Sequence, residues 1–482
     1  MKNNHLVYES KIKLSFTDQK EVTPQINIQF VAGLEKPGFG EVSQAPCALF
    51  FHASDSASGV LKVSVGDPKK VNAEAVRVAA SAGVKWLRDN HITSASITLP
   101  PQETFPLAES ISPIVEGLIL GDYRFTNYRT NSDDLLELRI KLQVASTPEL
   151  EALMARTIIT AQAVCLARDW EHEPANVINP ATLAERTIKI AEQHHLSIKV
   201  LDEKDLTALG ANALLAVGKG SATPARLIVL EYPGSDPKSD KKPIVLVGKA
   251  LTFDTGGYSI KGVDPIKGMK YDKCGGVDVI ATLIAASELH LPQRVVGIIG
   301  AAENSISGDA YKPDDILKTL SGKTVEIITT DAEGRLVLAD CFAYAQKEYS
   351  PRVIIDLATL TGAIVLALGS VRAGLFSNND ELANTLIASG ERTHERLWRM
   401  PLDEDYFAPI KGDDADLKNA GTKPGSASQA AKFLQQFIDP QIPWAHLDIA
   451  GTSDGSTDLP YSPKGSTGFG IRLLLDYLSS LD

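Results

Sequence analysis

Residues 329–336 of this chain are Thr329-Thr330-Asp331-Ala332-Glu333-Gly334-Arg335-Leu336, and they directly follow the apolar run Val325 to Ile328. The apolar run predicts a buried strand. Residues two apart on an extended segment point the same way, so we expect the Asp331 and Glu333 carboxylates to converge. Ligands bind beyond the ends of strands in α/β sheets. Two converging carboxylates at such a place suggest a site for hard metal ions.

The same stretch also fits the start of a helix. Asp331 would then cap a helix from Leu336 to Tyr349, with Glu333 in its first turn. Taken alone, the stretch favours this interpretation over a metal site, because short motifs of this kind often occur without a ligand. A second segment of the chain is needed to decide between the two.

That second segment also places charged residues just past an apolar run. Ile244 to Val247 precedes a glycine-rich stretch with Lys249, Asp254 and Lys261, and Asp272 follows it. Together with the first stretch this makes four carboxylates. They cannot gather in one cleft without cations, because like charges raise each other's pKa values. The cations would be metal ions, lysines or both. The alternative, scattered and solvated charges, does not explain why all of them follow predicted strand ends.

These motifs resemble the leucyl (cytosol) aminopeptidases. The match lies in Asp331-Ala332-Glu333-Gly334-Arg335-Leu336 after Thr330, and in the segment from Gly248 to Lys261, which resembles the metal-binding loop of that family. The resemblance is dense from about residue 165 to the end and thin before it. Further similar motifs are Glu173-Pro174-Ala175-Asn176, Ala302-Glu303-Asn304, Ser321-Gly322-Lys323-Thr324, Ala358-Thr359-Leu360-Thr361-Gly362-Ala363 and the stretch from Trp444 to Gly451.

The resemblance implies a leucyl aminopeptidase-type metallo-exopeptidase. It would hydrolyse N-terminal amino acids, preferably Leu or Met-like, from peptides by a two-metal-bound hydroxide. Two divalent metal ions, Mn²⁺ or Zn²⁺, would serve as cofactors. A lysine ligand must be a neutral amine, and nearby divalent charge would depress its pKa. The implied metal ligands are Lys249, Asp254, Asp272, Asp331 and Glu333.

The resemblance also implies two catalytic side chains and a pocket for the first substrate residue. Lys261 would be the electrophile that helps to stabilise the oxyanion. Arg335 would hold a bicarbonate that serves as general base. An apolar pocket lining would suit Leu or Met side chains. The implied substrate-binding residues are Met269, Thr359, Leu360, Gly362 and Ala450.

Several positions depart from the usual pattern of that family without removing an implied metal ligand. Ala250 stands where Gly is common, Thr329 and His172 where Asn is common, and Lys273 where Met is common. If the segment around Asp272 is extended, Lys273 faces away from the metals. We therefore expect the Lys273 ammonium to turn towards solvent or an acidic partner, and Lys273→Met to leave metal affinity within a few-fold.

A chain of 482 residues is too long for one ordinary core and suggests two domains. We predict an α/β protein with a smaller N-terminal α/β domain at 1–145 and a linker helix and connection at 146–175. The catalytic domain at 176–482 would have a mostly parallel sheet flanked by helices. The predicted catalytic-domain strands are 197–201, 227–232, 244–247, 295–300, 325–328 and 353–357, and the predicted helices are 73–87, 147–169 and 277–289.

Composition limits the partners. The formal net charge of −12 argues against nucleic acid as a main partner. We expect no membrane contact, because apolar runs fall short of a bilayer's thickness, and a cytoplasmic location, because the N-terminus lacks a secretory signal's apolar stretch. The four cysteines form no CxxC pair and are expected to be free thiols. The resemblance implies peptide substrates and a homohexamer built as a dimer of trimers.

Two other functions remain as alternatives. A two-metal phosphoester hydrolase uses similar carboxylate clusters, and a non-catalytic assembly or DNA-binding protein could share the fold. A phosphate-binding loop at Gly322-Lys323-Thr324 is rejected because position 317 is Leu and not Gly. A helix-borne zinc site is rejected because no HExxH occurs, and a serine triad because no GxSxG surrounds Ser259.

Overall fold

The structure of the protein is a computed structural model that describes residues 8–18, 24–31, 48–51, 59–100, 105–130, 136–236, 241–455, 461–462 and 464–481. The chain divides into two compact units, Met1–Cys165 with Thr457–Lys464 and Leu166–Ser456 with Gly465–Asp482. Both units combine helices with sheets, so the α/β class is confirmed. The domain ranges 1–145, 146–175 and 176–482 stay a prediction.

The first unit contains a six-stranded sheet and a pair of helices. The order β1-β6-β5-β2-β4-β3 is parallel throughout except where β3 joins β4. Alternate apolar side chains such as Ile28 and Leu61 are fully buried, as expected for strands with one face on a core. The elements are β1 Ile12–Phe16, β2 Ile26–Val31, β3 Ala48–Phe51, β4 Gly59–Ser64, α1 Ala73–Asp89, β5 Ser94–Thr98, α2 Leu107–Asp122 and β6 Leu138–Leu142.

A long helix, α3 (Pro148–His172), follows β6. It begins where the Thr-Pro-Glu sequence predicts, and the Thr147 hydroxyl accepts the backbone N–H of Leu150 at 3.3 Å. Contrary to the expectation of no such segment, α3 is long and apolar enough to cross a membrane, with a mean hydropathy of 1.4 over its most apolar part. Core helices of soluble proteins have the same length and composition, so this is weak evidence for a span.

The second unit is built on an eight-stranded sheet. Its strands, with those of two small sheets, are β7 Ser197–Leu201, β8 Arg226–Tyr232, β9 Ile244–Asp254, β10 Val295–Asn304, β11 Ile316–Lys318, β12 Thr324–Glu326, β13 Val353–Ala358, β14 Ala373–Ser377, β15 Leu397–Arg399, β16 Leu417–Lys418, β17 Trp444–Asp448, β18 Asp454–Gly455 and β19 Gly465–Ser466. Its helices are α4 Pro180–Gln193, α5 Glu203–Leu209, α6 Asn212–Gly218, α7 Val263–Ile266, α8 Cys274–Glu288, α9 Glu333–Tyr349, α10 Gly362–Leu368, α11 Asp380–Thr393, α12 Ser426–Gln435 and α13 Ile471–Ser479.

The large sheet has the order β15-β14-β17-β13-β9-β10-β8-β7. Its four central strands, β17, β13, β9 and β10, are mutually parallel, and antiparallel pairs lie outside them. Helices α8 and α9 both pack against β9 and β10. The apolar run Ile244 to Val247 is fully buried, as expected for a central parallel strand. The carboxyl ends of these strands therefore open at one edge of the sheet.

Two strands of the second unit differ from the prediction. β9 continues past the apolar run to Asp254, so Lys249 lies inside a strand and not in a loop. The predicted strand 325–328 is β12, which is shorter and belongs to a separate three-stranded sheet with β11 and β16. The strand ends at Glu326. Beyond it, the backbone N–H groups of Ile328 and Thr329 donate to the Asn419 side-chain oxygen, at 2.8 and 3.3 Å, in place of a neighbouring strand.

Close packing of α8 on the sheet brings its first turn next to β9. A Cβ on Gly276 would lie 2.6 Å from the Ala250 Cβ, and one on Gly275 would lie 2.2 Å from the Leu357 carbonyl oxygen. Only glycine allows this approach. The common Gly at position 250 is therefore dispensable here, because Gly276 leaves room for the Ala250 methyl group.

Candidate metal centre

A cleft of about 520 Å³ lies where β9 and β13 end. All twelve of the predicted site residues except Arg335 line it, so the fold brings together side chains from distant parts of the sequence. The lining residues among them are Lys249, Asp254, Lys261, Met269, Asp272, Asp331, Glu333, Thr359, Leu360, Gly362 and Ala450.

Lys249 occupies the buried base of this cleft. It projects from β9, and its side chain is 3% exposed. Its Nζ lies 2.8 Å from Asp272 Oδ1 and 2.9 Å from Glu333 Oε1. It also donates to the carbonyl oxygen of Thr359 at 2.8 Å. A single ammonium thus joins two carboxylates from different elements.

A second lysine joins the other two carboxylates. The Lys261 Nζ lies 2.8 Å from Asp254 Oδ2 and also forms an ion pair with Asp331. Asp254 Oδ1 accepts the backbone N–H of Gly256 and the side-chain N–H of Asn304, both at 2.8 Å. Three groups therefore hold the Asp254 carboxylate in place. The Lys261 side chain is 15% exposed, more than that of Lys249.

Asp272 reaches the cluster from a single 3₁₀ turn, Met269–Lys273, that precedes α8. The expectation for Lys273 assumes that this segment is extended, but it is a 3₁₀ turn. Asp272 Oδ1 accepts the Thr359 hydroxyl at 2.5 Å as well as the Lys249 ammonium. The turn places Asp272 directly beside the residue that follows β13.

Asp331 and Glu333 both line the cleft, but not from an extended segment as predicted. Glu333 is the first residue of α9, and Ala332 precedes it without a side-chain cap. The expected extended segment is therefore wrong, and so is the expected cap by Asp331. The chain turns into the helix between them, and each carboxylate forms an ion pair with a different lysine, Asp331 with Lys261 and Glu333 with Lys249.

Burial and charge set the protonation of the cluster. Burial, reinforced by neighbouring carboxylates, raises the pKa of Asp254 to about 6 and that of Asp272 to about 7, against the opposing effect of the lysines. Burial also raises the pKa of Glu333, but the lysines outweigh it and the net pKa is lowered. Burial disfavours the Lys249 ammonium, yet the carboxylates outweigh it and its pKa is raised.

The residues of the cluster fit a divalent cation. Ligand atoms of Asp254, Asp272 and Glu333 lie within 4.8 Å of one another. Asp272 Oδ2 and Glu333 Oε2 are buried and have no hydrogen-bond partner among the described residues. A buried carboxylate oxygen without a partner is costly. Hard cations such as Mn²⁺ take oxygen ligands of this kind, and a neutral lysine amine would add a nitrogen ligand.

Gly334 makes the position of Lys249 sterically feasible. A Cβ at Gly334 would lie 2.7 Å from the Lys249 Cε and 2.9 Å from its Nζ. The lysine side chain thus lies across the first turn of α9, in the space that any other residue at 334 would fill.

Arg335 lies apart from the cleft lining. It is buried, and its guanidinium donates to the carbonyl oxygen of Asn419 at 2.6 Å. Its Nε is buried without a partner among the described residues. Burial lowers the pKa of Arg335 to about 10, although Glu333 and Asp448 act in the opposite direction. Arg335 therefore keeps a guanidinium N–H available to an acceptor.

Asp448, a residue that sequence reasoning missed, organises the wall of the predicted substrate pocket. Its carboxylate accepts the backbone N–H of Leu360 at 3.1 Å and of Ala450 at 3.3 Å, and the Thr361 hydroxyl at 2.7 Å. It is fully buried at the end of β17. The available signal was a carboxylate at the end of an apolar run, the same signal that identified Asp254.

Asn304 is a second missed residue. It ends β10, and its side-chain N–H groups donate to Asp254 Oδ1 at 2.8 Å and to the Thr330 carbonyl oxygen at 2.9 Å. It thereby links the two segments that carry the carboxylates. Its place in the Ala302-Glu303-Asn304 motif, after a predicted strand, could have identified it.

The expectation that Lys273 turns towards solvent or an acidic partner is wrong. The side chain is fully buried, and its Nζ donates to the carbonyl oxygens of Glu171, Glu173 and Lys270 at 2.8, 2.9 and 2.5 Å. The error arises because a 3₁₀ turn has three residues per turn where an extended segment has two. Lys273 therefore points into the interior behind Asp272, and this removes the reason to expect an unchanged metal affinity for Lys273→Met.

Comparison with known proteins gives this arrangement a family. The family model described as "Cytosol aminopeptidase family, catalytic domain" matches residues 165–475. The chain belongs to the cytosol aminopeptidase family. The model of the N-terminal domain of the same family matches residues 46–132. The predicted family and the two-domain α/β fold class are thereby confirmed.

Individual relatives cover most of the chain. It is similar to the probable cytosol aminopeptidase of Syntrophotalea carbinolica, with 43% identity over 429 residues, 88% of this chain and 86% of that protein. It is 42% identical to the cytosol aminopeptidase of Rickettsia prowazekii over 405 residues, 83% of this chain and 78% of that protein. A solved structure, "Bottromycin maturation enzyme BotP in complex with Mn", has 34% identity and a TM-score of 0.86, covering 95% of this chain and 99% of that one.

Membership of the cytosol aminopeptidase family makes this protein a peptidase hydrolase, a metal-dependent aminopeptidase. That part of the sequence-based expectation is confirmed. The roles of the individual site residues, the identity of the metals and the side-chain preference stay predictions.

Proposed function

We propose that this aminopeptidase releases N-terminal residues with Leu- or Met-like side chains from peptides, using two divalent ions, Mn²⁺ or Zn²⁺. The ligands would be the five cleft residues Lys249, Asp254, Asp272, Asp331 and Glu333. The observation that carries the proposal is the pair of buried carboxylate oxygens, on Asp272 and Glu333, that have no partner among the described residues.

Two divalent ions held there would supply Lewis acidity and a water molecule of lowered pKa. Asp254 and Glu333 would help to hold both ions. Lys249 and Asp272, 2.8 Å apart, would complete one of them, and Asp331 the other. Lys249 must lose its proton to act as a ligand, and divalent charge beside it would remove the electrostatic reason for keeping that proton.

Lys261 is the lysine that a substrate can reach. Its side chain is 15% exposed against 3% for Lys249, and it lines the cleft. With ions compensating Asp254 and Asp331, its ammonium becomes available to the carbonyl oxygen of the scissile bond, where negative charge develops. We therefore assign oxyanion stabilisation to Lys261.

We further propose that Arg335 would hold a bicarbonate, which would supply a general base. The buried Arg335 Nε, without a partner among the described residues, supports this assignment, because a guanidinium offers paired donors to a planar oxyanion. The hydrogen bond from the guanidinium to the Asn419 carbonyl oxygen would hold the group in place.

Met269, Leu360 and Ala450 would form the apolar part of the pocket for the first substrate residue, with Thr359 and Gly362 beside them. The Asp448 carboxylate holds Leu360 and Ala450 through their backbone N–H groups, so the pocket wall has a fixed shape. Only an N-terminal residue offers an amine next to the scissile carbonyl, and this restricts the activity to exopeptidase cleavage.

Turnover of a leucyl dipeptide and of its N-acetylated form tests the proposal. Acetylation should nearly abolish turnover, while a dipeptide with an N-terminal Asp should be a poor substrate. Equal cleavage of blocked and free peptides would contradict it. Hydrolysis of a chromogenic phosphate ester in place of the amide would favour the two-metal phosphoester hydrolase.

We also propose that the protein works in the cytoplasm as a homohexamer, a dimer of trimers. The exposed apolar side chains Leu366, at 91%, and Val371, at 58%, support self-association. Light scattering should give the mass of six chains. A stable monomer with full activity would contradict the assembly without affecting the proposed chemistry.

A further inference from the structure

A buried lysine stands directly behind the proposed metal position. Lys273 follows Asp272 in the chain and is fully buried. Its ammonium donates to the carbonyl oxygens of Glu171, Glu173 and Lys270, at 2.8, 2.9 and 2.5 Å. A lysine is rarely this buried, and here each of its three donors meets a backbone acceptor.

Two of these acceptors lie at the C-terminal end of α3, which ends at His172. The last carbonyl groups of a helix have no intrahelical partner, and a cation there is favourable. Lys273 therefore caps α3 from a different part of the chain, 100 residues or more away in sequence.

The rest of the 3₁₀ turn Met269–Lys273 holds the same helix end. The Lys270 Nζ donates to the His172 carbonyl oxygen at 2.6 Å. The Tyr271 ring packs edge-on against the His172 ring, with 5.6 Å between centroids and 87° between planes. Three of the five residues of the turn thus bind the end of α3, and Asp272 alone points to Lys249 and Thr359.

This attachment bears on metal geometry because the turn is short. A 3₁₀ turn has weak hydrogen bonds of its own, so its position depends on what it contacts. Within the described residues, the Asp272 carboxylate forms its hydrogen bonds through Oδ1, while Oδ2 has no partner. A shift of the turn would move that oxygen away from Lys249 and Glu333.

We propose that Lys273 is a positioning residue for one of the two metal positions, because it fixes the Asp272 turn to the end of α3. This inference rests on the proposed function. It predicts that Lys273 affects the ion held by Lys249 and Asp272 and leaves the other ion, held without Asp272, largely unaffected.

The test is Mn²⁺ binding to the full-length, metal-free protein, measured by equilibrium dialysis with metal analysis. Lys273→Met keeps the volume of the side chain and removes its three donors. We expect affinity for one of two ions to fall roughly 10–100-fold, the range for groups that orient metal ligands, with the other ion bound within a few-fold of wild type. Lys273→Gln keeps an N–H donor on a shorter side chain, so its Mn²⁺ affinity should lie between those of wild type and Lys273→Met. It also serves if the methionine variant does not fold.

Lys432→Met is the matched control. Lys432 is a second lysine with a 1% exposed side chain in the same unit, and it pairs with Glu404 and does not line the cleft. The Lys432→Met substitution should lower the melting temperature and leave both Mn²⁺ affinities within a few-fold of wild type. If folded Lys273 variants lose only thermal stability and keep both affinities, Lys273 is structural and the inference fails. If the wild-type protein binds fewer than two ions, the proposed function fails instead.

Discussion

Two buried lysines are associated with Asp272 and have opposite surroundings: Lys249 pairs with its carboxylate, and Lys273 follows it in the chain. Lys249 lies among carboxylates, 2.8 Å from Asp272 and 2.9 Å from Glu333, while Lys273 lies among backbone carbonyl oxygens. Burial disfavours the charge of both. The carboxylates outweigh burial and raise the pKa of Lys249, whereas burial dominates at Lys273 and lowers its pKa to about 8.

The difference shows how strongly each environment stabilises the charge of its buried lysine. Full negative charges compensate the loss of water around a cation, and peptide dipoles do so only in part. In the cluster, the ammonium and a metal ion would compete for the same oxygens, so we expect Lys249 to exchange its proton for metal coordination. Behind the cluster, carbonyl groups bind the lysine as a donor, and its function there is to hold chain segments together.

Removing the cluster lysine should have the largest effect. Lys249→Met deletes a proposed metal ligand and leaves Asp272 and Glu333 without their cation. We expect the loss of one bound ion and a loss of turnover beyond the roughly 10²–10³-fold typical of a lost oxyanion donor. Metal analysis and steady-state kinetics check both. A variant with two ions and wild-type turnover would remove Lys249 from the ligand set and erase its contrast with Lys273.

Lys261→Ala should have the second-largest effect. The proposed role of Lys261 is oxyanion stabilisation, so both ions and the fold should be retained while kcat falls roughly 10²–10³-fold. Calorimetric metal titration and kinetics on the same preparation separate the two quantities. Unchanged turnover would contradict the role, and loss of an ion would indicate that its ion pairs with Asp254 and Asp331 hold those ligands in place.

Gly334→Ala tests how tightly Lys249 is constrained. The added methyl group would lie 2.7 Å from the Lys249 Cε, so the side chain must shift. A displaced catalytic group can cost about 10²-fold in rate, and we expect a loss of that order. Gly308→Ala is the control, because a Cβ there meets nothing within 4 Å. Equal activity of the two variants would mean that the lysine position is not critical.

Metal binding should also depend on pH. Asp254 and Asp272 have raised pKa values, about 6 and about 7, and Lys249 holds its proton, so metal must displace protons. Affinity for Mn²⁺ should rise with pH, by about tenfold per unit for each proton released. Titration calorimetry in buffers of different ionisation enthalpy counts these protons. Affinity that stays constant from about pH 5 to about pH 8 would contradict the protonated cluster.

The stability of the metal-free protein should change with pH in the opposite direction to its metal affinity. Burial raises the pKa of both carboxyls above their ordinary value of 3.8, so the metal-free fold binds more protons than the unfolded chain in that window. Their contribution to the free energy of unfolding is present below pH 3.8 and is lost as the pH rises through about 6 and about 7. Thermal unfolding of the metal-free protein should therefore occur at lower temperature as the pH increases over this range.

Local patterns predicted many elements accurately. The strand Ser197–Leu201 and the start of α3 at Pro148 are as predicted, because apolar alternation and a capping hydroxyl act over a few residues. β14 and β17 were not predicted as strands. β9 was predicted too short, because Gly248 and Lys249 interrupt its apolar run, and only the carboxylates opposite Lys249 make a lysine acceptable inside a buried strand.

The sequence by itself determined the family, the α/β class and the types of side chain in the cleft, because these depend on local periodicity and on motifs that keep their spacing. The tertiary structure decided how the carboxylates converge: Glu333 from a helix start, Asp272 from a 3₁₀ turn and Asp254 from a strand end. It also decided the opposite environments of Lys249 and Lys273. Both depend on contacts between segments far apart in the chain, whose geometry no local pattern encodes.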